Sequence, residues 1–247
     1  MKRSMGVLFW KTGGYEDKIK RRQYKDSFLS LLGNYLKIMD NTIITINESD
    51  EIFPSEFTAI GEDCPSVIYA MGNLDLLKSG KKVAVIGSRK ATPKGVSKAF
   101  ELGKKYASEG YVVVSGLALG CDAAAHRGCM AAGVGTIAIV ATGLDRVYPR
   151  DNIPLQEEIL SKGGLILSEQ SLGVMANRST LVARNRLQAA LSDIVLVAEC
   201  PKHSGTMHTV RDGRKYGKKI LAARFPYRNE ANSGNHYIID SGIGIGV

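Results

Sequence analysis

The 247-residue sequence predicts an α/β fold: a doubly wound, mainly parallel sheet over residues 61–247, with a small N-terminal lobe at residues 1–60. Three observations carry this prediction. Short apolar runs alternate with helix-like segments from Lys81 onward. The runs are apolar on both faces, as strands buried in a parallel sheet must be. The loops after several of them are rich in glycine and serine and lead directly into a helix start, the pattern of repeated strand–helix crossovers.

In the N-terminal lobe, Tyr24–Met39 has the spacing of an amphipathic helix, with Phe28, Leu31, Leu32, Tyr35 and Leu36 on one side. Thr42–Ile46 reads as a short strand, and Glu48–Cys64 as an acidic, irregular segment. The strands of the main domain are expected at Val83–Gly87, Tyr111–Ser115, Thr136–Ala141, Leu165–Ser168, Ile194–Glu199 and Lys219–Ala223. Thr92-Pro93 supplies an N-cap and a proline at the first helical position. Val96, Phe100, Gly103 and Ala107 follow on one helical face, and Gly110 ends that helix. Further helices are expected to start at Asp122, at Ser179 or Thr180 (burying Leu187 and Leu191), and at Thr206, the last ending at Gly217. Tyr237–Ile239 reads as a strand-like segment covering a sheet edge.

Net charge is +9. Residues 1–60 hold 9 Lys and Arg against 8 Asp and Glu, and the remainder holds 24 against 16, so the excess lies on the α/β region rather than on a basic tail. That balance fits a nucleic-acid or nucleotide partner. It equally fits an ordinary protein of high pI. The basic run Lys18–Arg22 is either a nucleic-acid contact or a solvated helix face. Cys64, Cys121, Cys129 and Cys200 form no C-x-x-C pair, and a reduced cytosol suits them better than a disulfide framework. Cys121, His126 and Cys129 match no common zinc spacing, so no metal is expected. No apolar run approaches the ~18 residues of a membrane span, and residues 1–15 lack the apolar core and cleavage site of a signal peptide.

Five loops are predicted at the carboxyl edge of the sheet, where ligands of such folds bind. They read GSRKATP, SGLALGCD, TGLDRVYP, SEQSLGVMANRST and ECPKHSGT. Exposed N–H groups and the helix dipole make a helix start an anion cradle. Arg89, Lys90, Arg146, Arg150, Arg178 and Lys202 come from the same edge. Several cradles lined by cations suit a chain of phosphates better than one phosphate, whereas a single glycine-rich loop would only mark a tight turn.

The signatures of common enzymes are absent. There is no G-x-x-x-x-G-K-[ST], no G-x-G-x-x-G after the first strand and no G-x-S-x-G. Asp122 and His126, four apart on one helix face, are either an acid–base pair or a helix-start Asp beside a buried His. Glu169 and Glu199 end nearby strands and form either a carboxylate pair or loop caps. Ser115 and Ser204 have no evident base.

These residues resemble a known family. Cys64-Pro65-Ser66-Val67-Ile68-Tyr69 with Gly72-Asn73, Val85-Ile86-Gly87-Ser88-Arg89, Ser115-Gly116-Leu117-Ala118 and Gly120-Cys121-Asp122 with Ala125-His126 resemble its successive motifs. So do Thr142-Gly143-Leu144-Asp145 with Tyr148-Pro149-Arg150-Asp151-Asn152, Arg184-Asn185-Arg186, Glu199 with Ser204-Gly205-Thr206, and Ser233-Gly234-Asn235 through Asp240-Ser241-Gly242. The family is that of the DNA-processing protein A (DprA/Smf) proteins, and the resemblance spans Cys64–Ile245.

It implies a Rossmann-like, cytoplasmic, non-enzymatic domain that binds single-stranded DNA, protects incoming strands, forms a homodimer and loads the RecA recombinase during natural transformation. No cofactor is implied. The implied DNA-binding residues are Gly87, Ser88, Arg89, Arg178, Arg184 and Arg186. The loop chemistry adds Lys90, Ser115, Gly116, Lys202, Ser204, Gly205 and Thr206, with Arg89 as the main phosphate contact and Arg178 and Arg186 flanking it. Departures are that Leu119 replaces the usual Arg, Cys121 the usual Ile, and Leu181-Val182 the usual Phe-Pro, so a base-stacking phenylalanine is missing. The competing reading is a nucleotide-sensing or nucleotide-hydrolysing relative of the lysine-decarboxylase-like phosphoribohydrolases, recruited to defence against foreign DNA. Their PGGxGTxxE motif is absent here.

Overall fold

The computed structural model describes residues 42–247. The expected helix Tyr24–Met39 and the basic run Lys18–Arg22 lie outside the described residues. In chain order the strands are β1 Ile43–Asn47, β2 Val67–Gly72, β3 Lys82–Ile86, β4 Val112–Ser115, β5 Ile137–Ile139, β6 Leu165–Ser168, β7 Ile194–Val197, β8 Lys219–Ala222 and β9 Ile245–Gly246. The helices are α1 Ser55–Thr58, α2 Pro93–Ser108, α3 Cys121–Ala131, α4 Ile153–Ser161, α5 Arg178–Leu191, α6 Thr206–Lys215 and α7 Ser233–Asp240.

All strands join one sheet in the order β1-β2-β6-β5-β4-β3-β7-β8-β9. From β6 to β9 every pairing is parallel, and β2 adds antiparallel to β6 and β1 to β2. The chain starts the parallel sheet at β3, moves outward through β4, β5 and β6, then crosses back to lay β7 on the other side of β3. Strand order therefore reverses between β3 and β7. In an open α/β sheet that is where the loops part and leave a crevice.

The central strands are covered on both faces, which is why their sequences run apolar without alternation. Val83 and Val85 of β3 and Val113 of β4 pack with Ala99, Leu102 and Tyr106 of α2 and Ala124 and Ala125 of α3. Ala84 and Ile86 face the opposite way, with Val195 and Val197 of β7 and Val210 of α6. Helices α2 and α3 lie close together because Gly103 has no side chain: a Cβ there would overlap the Ala125 carbonyl oxygen. Helix α2 starts as expected, with Thr92 Oγ1 accepting from Gly95 N (3.0 Å) and Pro93 in the first turn. Its core face is set by Ala99, Leu102, Gly103, Tyr106 and Ala107, while Val96 is exposed.

Three elements differ from the sequence reading. Tyr237–Ile239 is not strand but the last turns of α7, whose start follows the Asn229 capping box at Glu230–Asn232. Val67–Gly72 forms a strand, β2, and Ile153–Ser161 forms α4. The expected boundary at residue 60 does not coincide with a break in the core. Phe53 and Phe57 meet edge to face (centroids 6.0 Å apart) and pack with Val114 of β4, Ile137 of β5 and Leu187 of α5.

Residues 42–60 are therefore a structural part of the sheet domain. Phe57 is fully buried, so Phe57→Ala should cost about 3–5 kcal/mol. A urea melt of the full chain checks this, since a solvated appendage would leave the midpoint unmoved.

Candidate nucleic-acid interface

The loops after β3, β4, β5, β6 and β7 converge on a groove of about 1260 Å³ at the β3/β7 reversal. Gly87, Ser88, Arg89 and Lys90 line it from the first loop, Arg178 and Arg184 from α5, and Lys202, Ser204, Gly205 and Thr206 from the loop after β7. Arg211 adds a further cation from α6. The lining carboxylates are Asp122 and Glu230, so the groove is cationic. Among the described residues, Arg89, Lys90, Arg178 and Lys202 form no ion pair; Lys202 Nζ instead sits 4.1 Å from the centre of the Tyr237 ring.

The conformation of the first loop is set from across the sheet. Glu199, fully buried at the end of β7, accepts from Thr92 N (2.7 Å) and Thr92 Oγ1 (2.8 Å). Its backbone oxygen accepts from Ser88 N (2.7 Å), and Ser88 O accepts from Cys121 N (3.1 Å). The N-terminus of α2 is thus already occupied by a carboxylate of the protein itself. The start of α3 is taken up by backbone: Cys121 N donates to Ser88 O and Ala123 N to Ala118 O (both 3.1 Å), while buried Asp122 accepts from Gly116 N in the preceding loop (3.1 Å). Asn177 closes the start of α5, accepting from Thr180 N (3.0 Å) in a capping box. Helix α6 is different. Gly205 leaves its start without a side-chain cap, and Ser204 Oγ is buried without a partner. Of the helix starts that open on this groove, α6 is the one left free to hold an anion.

Arg184 is the least ordinary group here. It is 4% exposed yet lines the groove, and among the described residues it forms no ion pair. Burial lowers its pKa to about 10, opposed by the nearby Asp122 charge, with Arg89 adding to the lowering, so it stays a cation at neutral pH. The Gln188 amide, one turn on, lies against the Arg184 guanidinium, and only with its oxygen turned to that side can it accept from Nε and Nη1. Gly116 makes room: a Cβ there would overlap the guanidinium. Burial raises the Asp122 pKa and the Arg184 charge opposes it.

Other expected site residues stand elsewhere. Ser115 is buried and donates to Val85 O (2.7 Å), so it builds the strand end and does not line the groove. Arg186 points away from the groove. Its guanidinium makes a two-pronged pair with Glu169 (2.8 and 2.6 Å) and donates to Asp63 O (2.9 Å), bracing α5 against the end of β6 and residue 63. Glu169 and Glu199 do not pair: three strands separate β6 from β7, and each carboxylate has its own partner. Arg146 pairs with Asp145 (3.2 Å) instead of lining the groove. Among the described residues no three His, Cys, Asp or Glu side chains stand where they could share a metal ion. Tyr148, His203, His208, Arg211 and Gln188 line the groove without having been singled out as site residues. For Gln188 the signal was its i+4 spacing from Arg184 on one helix.

The family model for DNA recombination-mediator protein A matches residues 42–245. The chain belongs to this family. It is 36% identical over 193 residues to the DNA processing protein DprA of Streptococcus pneumoniae, covering 78% of this chain and 67% of that one. It is 37% identical over 161 residues to Protein Smf of Synechocystis sp., covering 64% of this chain but only 40% of the relative. The crystal structure of the S. pneumoniae protein superposes with a TM-score of 0.76 at 34% identity, covering 83% of this chain and 71% of that one. The Helicobacter pylori DNA processing protein A, described for its single-stranded DNA binding mode, gives a TM-score of 0.73 at 33% identity and covers 83% and 90%. Among the described residues, no helix is long and apolar enough to cross a membrane.

His126, four residues beyond Asp122, titrates with folding. Burial, with the Arg184 and Arg127 charges, depresses its pKa from 6.5 to about 3. Nδ1 meets Thr136 Oγ1 at 2.9 Å, and Thr136 donates to Val113 O (2.7 Å). Thr136 having used its proton there, Nδ1–H is the donor and the ring is neutral. The unfolded chain therefore binds a proton between pH 6.5 and 3 that the native state refuses. Stability from this residue is full above pH 6.5 and is lost as pH falls through about 3. Asp122, raised by burial, acts in the opposite sense. Urea melts of wild type and His126→Asn from pH 7 to pH 4 should show a smaller decline in the variant; equal declines would remove His126 from the account.

Proposed function

We propose that this chain binds single-stranded DNA along the β3/β7 groove without cutting it. In this reading it shields the strand and, as a cytoplasmic homodimer, delivers it to a RecA-type recombinase. One observation carries the reading: cations that form no ion pair among the described residues gather round the one open helix start at the strand reversal. The single-strand binding described for the H. pylori relative supports it. The recombinase and the dimer rest on the family resemblance.

In this reading the phosphates lie against Arg89, Lys90, Arg178 and Lys202. The N–H groups at Ser204-Gly205-Thr206 take one phosphate at the start of α6. Gly87 and Ser88 let the strand approach the backbone, and Arg184 supplies a fixed cation at the groove floor. Ser115 and Gly116 support that floor, and Arg186 braces the helix that carries Arg184.

Arg89 is the main phosphate contact. Binding should weaken with salt at a slope of about −0.7 per phosphate neutralised. Arg89→Ala should weaken binding to every sequence and flatten the slope by about one contact. Lys162→Ala is the control, because Lys162 is ion-paired to Glu158 (2.8 Å) where α4 ends, just before β6 and so on the opposite edge of the sheet. Fluorescence anisotropy at several salt concentrations reads both, and an Arg89→Ala protein that binds like wild type throughout sinks the proposal. Light scattering at micromolar concentration should give twice the chain mass; a monomer mass removes the dimer from it.

A further inference from the structure

The two sides of the groove differ in chemistry. Because the sheet order is β5-β4-β3-β7, the loops after β4 and β5 lie on one side of Arg89 and the loop after β7 on the other. The β7 side presents Lys202, His203, Ser204 and Thr206. The β4/β5 side presents Leu119, Tyr148 and Pro149, which with Leu181 of α5 line a small side pocket. Arg184 lines both the groove and this pocket.

Several features of the pocket lack a purpose within the protein. Tyr148 is 43% exposed and Leu119 is 38% exposed; both line this pocket, and Tyr148 also lines the cationic groove. The Tyr148 hydroxyl has no hydrogen-bond partner among the described residues. Arg184, nine-tenths buried at the pocket wall, has five N–H donors to place; the Gln188 amide can take those of Nε and Nη1, and Nη2 has no partner among the described residues. An apolar and aromatic surface ending in unassigned cationic donors matches a flat, apolar ligand with hydrogen-bond acceptors on its edge.

We propose that this pocket is a nucleobase subsite: one unpaired base of the bound strand stacks on the Tyr148 ring and turns its acceptor edge to Arg184. The proposal rests on the strand-binding reading above and adds the side of the strand opposite the phosphates. Phosphates on the Lys202 side and a base on the Tyr148 side orient the strand across Arg89. A duplex base is stacked and paired and cannot enter, so the subsite gives the groove its preference for single strands. It also answers the absence of an aromatic at Leu181, because Tyr148 and Leu181 line the same pocket.

The test uses the full chain and two labelled 12-mers, one of thymidines and one of abasic tetrahydrofuran residues with the same phosphates. Wild type should bind the abasic strand about 5- to 150-fold more weakly, the range of ~1–3 kcal/mol for stacking one base. Tyr148→Ala should bind the thymidine strand that much more weakly and no longer tell the two strands apart. Tyr148→Phe should bind like wild type. The salt slope of Tyr148→Ala should match wild type, because no phosphate contact is lost. Tyr148 is exposed enough that the urea midpoint should not move. A wild type that binds both 12-mers equally overturns the subsite and leaves strand binding standing. A wild type that binds neither overturns both. A Tyr148→Ala protein that still prefers the thymidine strand places the base elsewhere and overturns the assignment to Tyr148.

Discussion

The groove depends on one buried carboxylate. Glu199 ends β7 and reaches across the strand reversal to hold the amide and hydroxyl of Thr92, while its own carbonyl holds Ser88. Taking a carboxylate out of water is costly unless donors surround it, and a helix start supplies them. The contact ties the first loop of the sheet to the strand on the far side of the crevice. Gly95 belongs to the same contact, because a Cβ there would overlap the Glu199 carboxylate. Ser88 and Arg89 therefore leave β3 in a fixed direction before any ligand arrives. Pre-ordering of this kind lowers the conformational entropy lost on binding.

The same contact decides which anion sites remain. A helix start can hold a phosphate only if its N–H groups are free. Glu199 closes α2, the Ser88 and Ala118 carbonyls take the first amides of α3, and Asn177 closes α5. What reads in sequence as several cradles is in the fold one open cradle beside several that the protein has filled. The closed ones are not idle. They lock the loops that present Arg89, Arg178 and Arg184 along the groove. Positive charge thus comes mainly from side chains, with a single contribution from a helix end.

The strands of the parallel sheet were legible because burial on both faces leaves no choice but apolar residues, and β3 through β8 lie within a few residues of their expected positions. Helix α2 was legible from Thr92-Pro93, a local signal. Helix α7 was not. Its sequence SGNHYIID ends in an apolar pair that mimics a strand, and its start is set by Asn229 and Asn232 exchanging bonds one turn earlier. The loops of the site were legible from their glycines and serines. The state of their helix starts was not, because it is decided by contacts across the chain: Glu199 lies 107 residues from Thr92. Arg186 makes the same point. Two residues from Arg184 on one helix, it faces another way and is held by Asp63, 123 residues distant. No local pattern separates the arginine that enters the groove from the one that braces it.

The shape of the groove argues for a polymer over a single nucleotide. Small-ligand pockets of about 300–1,000 Å³ enclose most of their ligand. Here about 1260 Å³ lies open along the sheet edge, and its cations come from the loops after β3 and β7 and from α5 and α6. They can each meet a different phosphate of a strand that runs past them. A mononucleotide pocket would also need its polar groups gathered round the base, whereas the side pocket offers one ring and the guanidiniums of Arg89 and Arg184. In the proposed reading, affinity is summed over repeated phosphates and a single stacking contact selects unpaired strands without reading the identity of the base.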